Sequence, residues 1–142
     1  MAKLNPYLIF DGKAEEAFNF YKSVFGGEFY GEIHRIGNAP GTENLSEEEK
    51  KRVMHIALPV GKGDLLMASD CVPSMGHKFV IGTNNNISIF PDSREDADRL
   101  FNGLSAGGVI EMPLADMFWG DYFGSFTDKF GVCWMVNYHA QQ

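Results

Sequence analysis

The chain has 142 residues, of which 44% are hydrophobic, 13% aromatic and 22% charged. That composition suits one compact domain or two small halves, and it excludes a disordered, collagen-like or coiled-coil chain. The 12 basic and 19 acidic residues leave a net charge of −7, and the basic run Lys50-Lys51-Arg52 directly follows Glu47-Glu48-Glu49, which argues against a nucleic-acid partner.

In chain order, the apolar stretch Tyr7 to Phe10 is too short for a signal peptide or a membrane span, so a soluble cytoplasmic protein is expected. The stretch Leu4–Phe10 reads as an opening strand. After Asp11, the residues Ala14, Ala17, Phe18, Tyr21, Val24 and Phe25 recur at helical spacing, and Gly26-Gly27 closes the helix. Strands are expected at Glu28–Ile36, Val53–Val60 and Asp64–Ser69, with a polar loop or short surface helix over Gly37–Lys50. A linker with Pro73 and Gly76 follows, at about residues 71–79. Asn86–Phe90 then opens again as a strand. Ser93, with Asp96 three residues on, is a plausible N-cap for a helix carrying Ala97, Leu100, Phe101 and Leu104, which Gly107-Gly108 closes. Strands at Val109–Leu114, Tyr122–Thr127 and Val132–Tyr138 complete the chain.

The two halves correspond. A shift of 81 residues places Asn5 on Asn86, Asp11 on Asp92, Phe20 on Phe101 and Gly26-Gly27 on Gly107-Gly108. A second shift, of 68, places Gly63 on Gly131 and Met67 on Met135. Each half reads β-α-β-β-β, giving an α+β chain of two tandem modules over about residues 1–70 and 80–142.

Cys71 and Cys133 lack CxxC or Cys/His spacing; their count alone allows a disulfide, and the reading preferred is two buried apolar thiols in a reducing cytoplasm. Met54, Ile56 and Leu58 form one apolar face, so the two-residue period sends His55 to the other face with Val53 and Ala57. Glu32 and His34 share parity on the preceding strand, and two histidines with one carboxylate could hold a metal there; the plainer reading is the polar face of a strand. His77 and His139 read as surface residues. Asp70 reads as a cap on the linker through backbone N–H groups. Trp119, Asp121 and Tyr122 place large rings at a strand edge, to close the core or to cover an apolar or aromatic ligand. Gly61-Lys62-Gly63 is a turn rather than a phosphate loop, and no serine stands in a GxSxG setting.

Several segments together resemble the vicinal oxygen chelate, or glyoxalase/bleomycin-resistance/dioxygenase, superfamily, and within it the PhnB-like branch. They are Pro6-Tyr7-Leu8-Ile9-Phe10-Asp11-Gly12, Val53-Met54-His55-Ile56-Ala57-Leu58, Leu66-Met67-Ala68-Ser69-Asp70, Trp119-Gly120-Asp121-Tyr122-Phe123-Gly124 and Thr127-Asp128-Lys129-Phe130-Gly131-Val132-Cys133-Trp134. The resemblance implies two curved mixed sheets around a central cavity, a homodimer, and a divalent metal held by residues of the opening and closing strands. Those ligand positions fall here on Asn5, Met67, Asn86 and Met135, none of them an imidazole or carboxylate, so neither a metal nor another cofactor is expected. Tyr7, Ser88, Phe90, Cys133 and Asn137 share parity with those positions and would line the cavity, with Trp119 and Tyr122 covering it. Two functions follow as expectations: a binding module for a small, partly apolar molecule, or a metal-independent lyase or isomerase with His55 as general acid/base.

Overall fold

The computed structural model describes residues 2–140; Met1, Gln141 and Gln142, at the outer ends of the two expected modules, lie outside the described residues. The chain divides between Val80 and Ile81 into two compact units. In the first, β1 (Tyr7–Phe10), α1 (Ala14–Phe25), β2 (His34–Arg35), a 3-10 turn at Ile36–Asn38, α2 (Glu47–Lys51), β3 (Val53–Pro59) and β4 (Leu65–Asp70) follow in sequence. In the second come β5 (Ile87–Ile89), α3 (Arg94–Ser105), β6 (Val109–Asp116), β7 (Asp121–Thr127) and β8 (Cys133–His139). Each unit forms a four-stranded mixed sheet, in the orders β1-β4-β3-β2 and β5-β8-β7-β6, with the first-named pair parallel and the others antiparallel. The chain is α+β, as its pattern predicts.

The two sequence offsets reappear as strand register. Tyr7 lies opposite Met67 and Ser88 opposite Met135; Ala57 lies opposite Met67 and Ser125 opposite Met135. A one-residue slip would move every side chain to the other face, so matching register gives the two sheets matching faces. The face toward the helix is fixed by ring contacts. Phe10 meets Phe18 of α1 edge to face, with centroids 6.4 Å apart, and Phe126 meets Phe101 of α3 at 5.0 Å. Ile56, Leu58, Leu66 and Ala68 pack on that side of the first sheet under Ala14, Ala17, Phe18 and Tyr21, all buried. Each large side chain so buried contributes about 1.5–3 kcal/mol.

The helix starts differ. Ser93 caps α3 by accepting from the Asp96 N–H at 3.0 Å. The residue before α1 is Lys13, which offers no capping side chain. The carboxylate of Asp70, 4% exposed, accepts the Ala14 N–H at 3.0 Å through one oxygen and the Val53 N–H at 2.9 Å through the other. Asp70 therefore joins α1 to β3 rather than capping the linker. The linker is held by Glu49, which accepts from both the N–H and the hydroxyl of Ser74, and by His77, whose Nδ1 accepts the Val72 N–H. His77 thus has a structural partner in addition to its exposure. The strand expected over Glu28–Ile36 shrinks to two residues, because Gly31 turns with φ +74° and the register shifts between His34 and Arg35. Tyr30 still bonds to the Ala57 carbonyl through its N–H.

Both cysteines are free and buried, as expected. No helix among the described residues is long and apolar enough to cross a membrane.

Candidate functional site

The candidate residues are placed by strand alternation. In the first unit, Tyr7 and Met67 face each other across β1 and β4, and Ala57 opposite Met67 puts His55, two residues earlier, on the same face, away from α1. The parity read from Ile56 and Leu58 therefore holds, while Met54, read as part of the same apolar face, is 39% exposed and Val53 is buried. His55 is the direct cross-strand partner of His34, with ring centroids 6.4 Å apart, and it stacks on Tyr7 at 5.8 Å. The Tyr7 hydroxyl lies 3.4 Å from His55 Nδ1. Two imidazoles and a phenol thus meet on the far face. Glu32 lies outside β2 and is exposed, and no group of three His, Cys, Asp or Glu side chains among the described residues is arranged to hold a metal.

Asn5 lies just before β1. Its side-chain oxygen accepts the Leu65 N–H at 3.1 Å, at the start of β4. Its counterpart Asn86 is exposed, just before β5. Met67 and Met135 are half-buried on the far faces of their sheets. Neither unit's pair fits a divalent ion of the usual kind: the Asn5 oxygen is already committed to the backbone, each thioether is a soft neutral donor, and no position supplies negative charge.

In the second unit, Ser88, Met135 and Asn137 keep the expected parity; Cys133 shares it but is buried, and Phe90 lies just beyond β5 and is exposed. Tyr122 does not. It lies opposite Tyr138 and in step with Gly124 and Phe126, so it faces α3. There its hydroxyl donates to Asp98, the Arg94 guanidinium lies 3.8 Å from its ring centroid, and Arg94 forks onto the Asp116 carboxylate at 2.8 and 2.9 Å. The Asp98 carboxylate pushes the Tyr122 phenol above the usual tyrosine range. Tyr122 thus packs sheet to helix and covers nothing on the far face. Trp119, half exposed in the turn between β6 and β7, meets Phe123 on the far face with centroids 6.3 Å apart.

One residue assigned to the surface joins this face. His139 is the register partner of Asp121, and its Nδ1 hydrogen-bonds the Asp121 carboxylate, which holds Asp121 below the usual carboxylate range. The signal was available in its parity with Met135 and Asn137.

A further cavity of about 860 Å³ lies in the first unit near the start of α1, lined by Gly12, Glu15, Arg35, Asn38 and Arg52 among others. Both of its arginines are paired with carboxylates. Arg35 forks onto Glu15 at 2.8 and 3.0 Å, and Arg52 bonds Glu48 and Asp11, each at 2.8 Å.

The family model of the Glyoxalase/Bleomycin resistance protein/Dioxygenase superfamily matches residues 3–136. The chain belongs to that superfamily. It is 32% identical to Protein YjdN of Escherichia coli (strain K12), over 98% of this chain and 97% of that one. The crystal structure of protein PA1353 from Pseudomonas aeruginosa matches with a TM-score of 0.85 and 39% identity, over 99% of this chain and 100% of that chain. A PhnB protein from Bacillus cereus matches with a TM-score of 0.75 and 30% identity, over 96% and 99% of the two chains. The PhnB-like character read from the strand motifs is thereby shown. The name of the Bacillus protein includes a 3-demethylubiquinone-9 3-methyltransferase activity; among the described residues the present superfamily member forms two four-stranded mixed sheets.

Proposed function

We propose that this superfamily member binds a small, partly apolar molecule on the far faces of its sheets without the divalent metal centre the superfamily commonly uses. The observation that carries the reading is the pair of positions in each unit, Asn5 and Met67 in the first, with the Asn5 oxygen bonded to the Leu65 N–H, and Asn86 and Met135 in the second, none of them an imidazole or carboxylate. Amide and thioether groups suit contact with a neutral organic molecule and supply no charge to a hard ion. The test is elemental analysis and thermal unfolding of tag-free protein before and after EDTA, with mass spectrometry of small molecules released on denaturation. An unchanged melting temperature with no stoichiometric metal supports the reading. Stoichiometric Zn, Ni, Fe or Mn, lost on chelation with a large drop in melting temperature, overturns it.

The His34–His55–Tyr7 cluster favours a second reading, a metal-independent lyase or isomerase in which His55 moves a proton. Covalent change of a bound compound, abolished in His55→Ala with binding retained, separates it from the first. The free, buried cysteines suit a reducing, cytoplasmic setting. The exposed apolar residues Val109, Ile110 and Met112 on the edge strand β6 suit a homodimer, which light scattering at tens of micromolar tests.

A further inference from the structure

The carboxylate of Asp121 gathers three side chains of the second unit. His139 meets it through Nδ1 across the β7–β8 ladder, and the side chains of Asn137, the register partner of Phe123, and Trp119, whose ring meets Phe123, also help hold it below the usual carboxylate range. The hydrogen-bonding chemistry then fixes what is left over. A carboxylate only accepts, so Asn137 turns its NH₂ toward Asp121 and its oxygen away, and His139 keeps its proton on Nδ1. The Asn137 Oδ1 is shielded from solvent and has no hydrogen-bond partner. Whenever His139 carries a single proton, its Nε2 is likewise an acceptor, and the His139 side chain is 67% exposed. Beside these two acceptors stand the Trp119 ring, half exposed, and Phe118, which meets Trp119 edge to face at 4.9 Å.

We infer that this corner of the second unit, Trp119, Asp121, Asn137 and His139, is a binding site for a neutral hydroxyaromatic molecule, whose ring lies on Trp119 and whose O–H donates to Asn137 Oδ1 or His139 Nε2. The juxtaposition selects the class. Two acceptors and an aromatic surface call for an aromatic ring that carries a donor. With His139 singly protonated, an anionic ligand meets acceptors and the Asp121 charge here. A purely apolar ring leaves the Asn137 oxygen unpaired, as it is without a ligand. Because that oxygen is enclosed, a donor reaches it only by inserting beside the Asn137 side chain, where no water competes for the bond. The inference rests on the binding reading above and specifies the ligand class of its second unit.

The test titrates the full chain with phenol, anisole and benzoate at neutral pH and follows three NMR probes: the Trp119 indole N–H, the Asn137 side-chain NH₂ and the His139 ring nitrogens. Phenol is expected to shift all three and to bind more tightly than either anisole or benzoate by a factor of about 5, the worth of one net hydrogen bond. Asn137→Ala should bring the phenol-to-anisole ratio toward one. Since Asn137 also supports Asp121, His139→Gln, at an exposed position, serves as the second variant and should reduce the same ratio with the fold intact. Equal binding of phenol and anisole, benzoate binding as tight as phenol, or phenol shifts that bypass these three residues each overturn the inference. The outcome is separable from that of the metal-free reading. Loss of stability on chelation sinks the latter whatever phenol does, and a co-purified ligand mapping to Tyr7 and Met67 sustains it even if phenol fails here.

Discussion

Asp70 does for α1 what Ser93 does for α3. Under the 81-residue shift Ser93 corresponds to Gly12, which has no side chain to cap with. Under the 68-residue shift Asp70 corresponds to Tyr138, which has no carboxylate. One unit satisfies its helix start from the adjacent residue and the other from the end of its last strand.

The two caps should differ in cost. Ser93→Ala removes one exposed-end hydrogen bond and should cost about 1 kcal/mol. Asp70→Ala strips the Ala14 and Val53 N–H groups of their shared acceptor in a buried setting and should cost about 2–4 kcal/mol. Urea unfolding of both variants checks the order, and equal destabilisation contradicts the account.

Two glycines should resist alanine for different reasons. A Cβ on Gly108 would run into the Thr127 carbonyl oxygen and the Asp128 backbone, atoms that cannot rotate away. Gly108→Ala should therefore cost about 3 kcal/mol. Gly26 has open space around it but φ +83° with ψ −173°, a conformation essentially only glycine adopts, so Gly26→Ala should cost about 1–3 kcal/mol through backbone strain alone. Denaturation midpoints of the two variants decide whether space or dihedral dominates at each site.

Acid should unfold the protein in a window to which carboxylates of both units contribute, Asp116 and Asp121 in the second and three more in the first. Ser74 hydrogen bonds hold Glu49, and the paired guanidinium groups of Arg35 and Arg52 hold Glu15 and Asp11, below their ordinary values of 4.5, 4.5 and 3.8. Their folded forms thus bind protons less readily than the unfolded chain does. The stabilisation is complete above the ordinary values and is lost as pH falls through the lower folded ones. The melting temperature should be level from pH 7 to about 5 and then decline. Glu49→Gln should lower it at pH 7 and flatten the decline. A melting temperature higher at pH 4 than at pH 7 would refute this.

Both thiols should be silent toward a thiol reagent in the native protein. Cys71 is 4% and Cys133 9% exposed, and burial pushes the Cys71 thiol above its usual range. In strong denaturant both should react at once, with a count of two per chain. Prompt native reaction of either one would show that its covering opens readily.

The repeat, both long helices, the far-face placement of His55 and the family were legible because each rests on spacing within one element or on a shift between like segments. The Asp70 contacts were not, since Ala14 lies 56 residues away along the chain. Tyr122 was misplaced as a covering ring although its parity with Phe126, a core residue, assigns it to the helix side. The Asp121–His139 pair depends on the β7–β8 register, which is set by the Asp128–Val132 turn. There the Asp128 carboxylate accepts the Phe130 and Val132 N–H groups and its backbone N–H donates to Val132. The tight turn at Gly31 shortened β2 by a backbone dihedral that hydrophobic spacing does not report.

The difference between the two offsets has a consequence for how this chain tolerates insertion. The added length of the first unit falls between its first long helix and β3, where it forms a 3-10 turn and α2 and pairs with no strand. Residues gained or lost there leave the sides of the sheet alone. One residue gained inside β3 ahead of His55 would exchange it with Met54, turning an imidazole toward the helix and a thioether toward Tyr7. Length is free in one short span of this molecule, and within a few residues of it even a single codon's insertion would rewrite which chemistry faces outward.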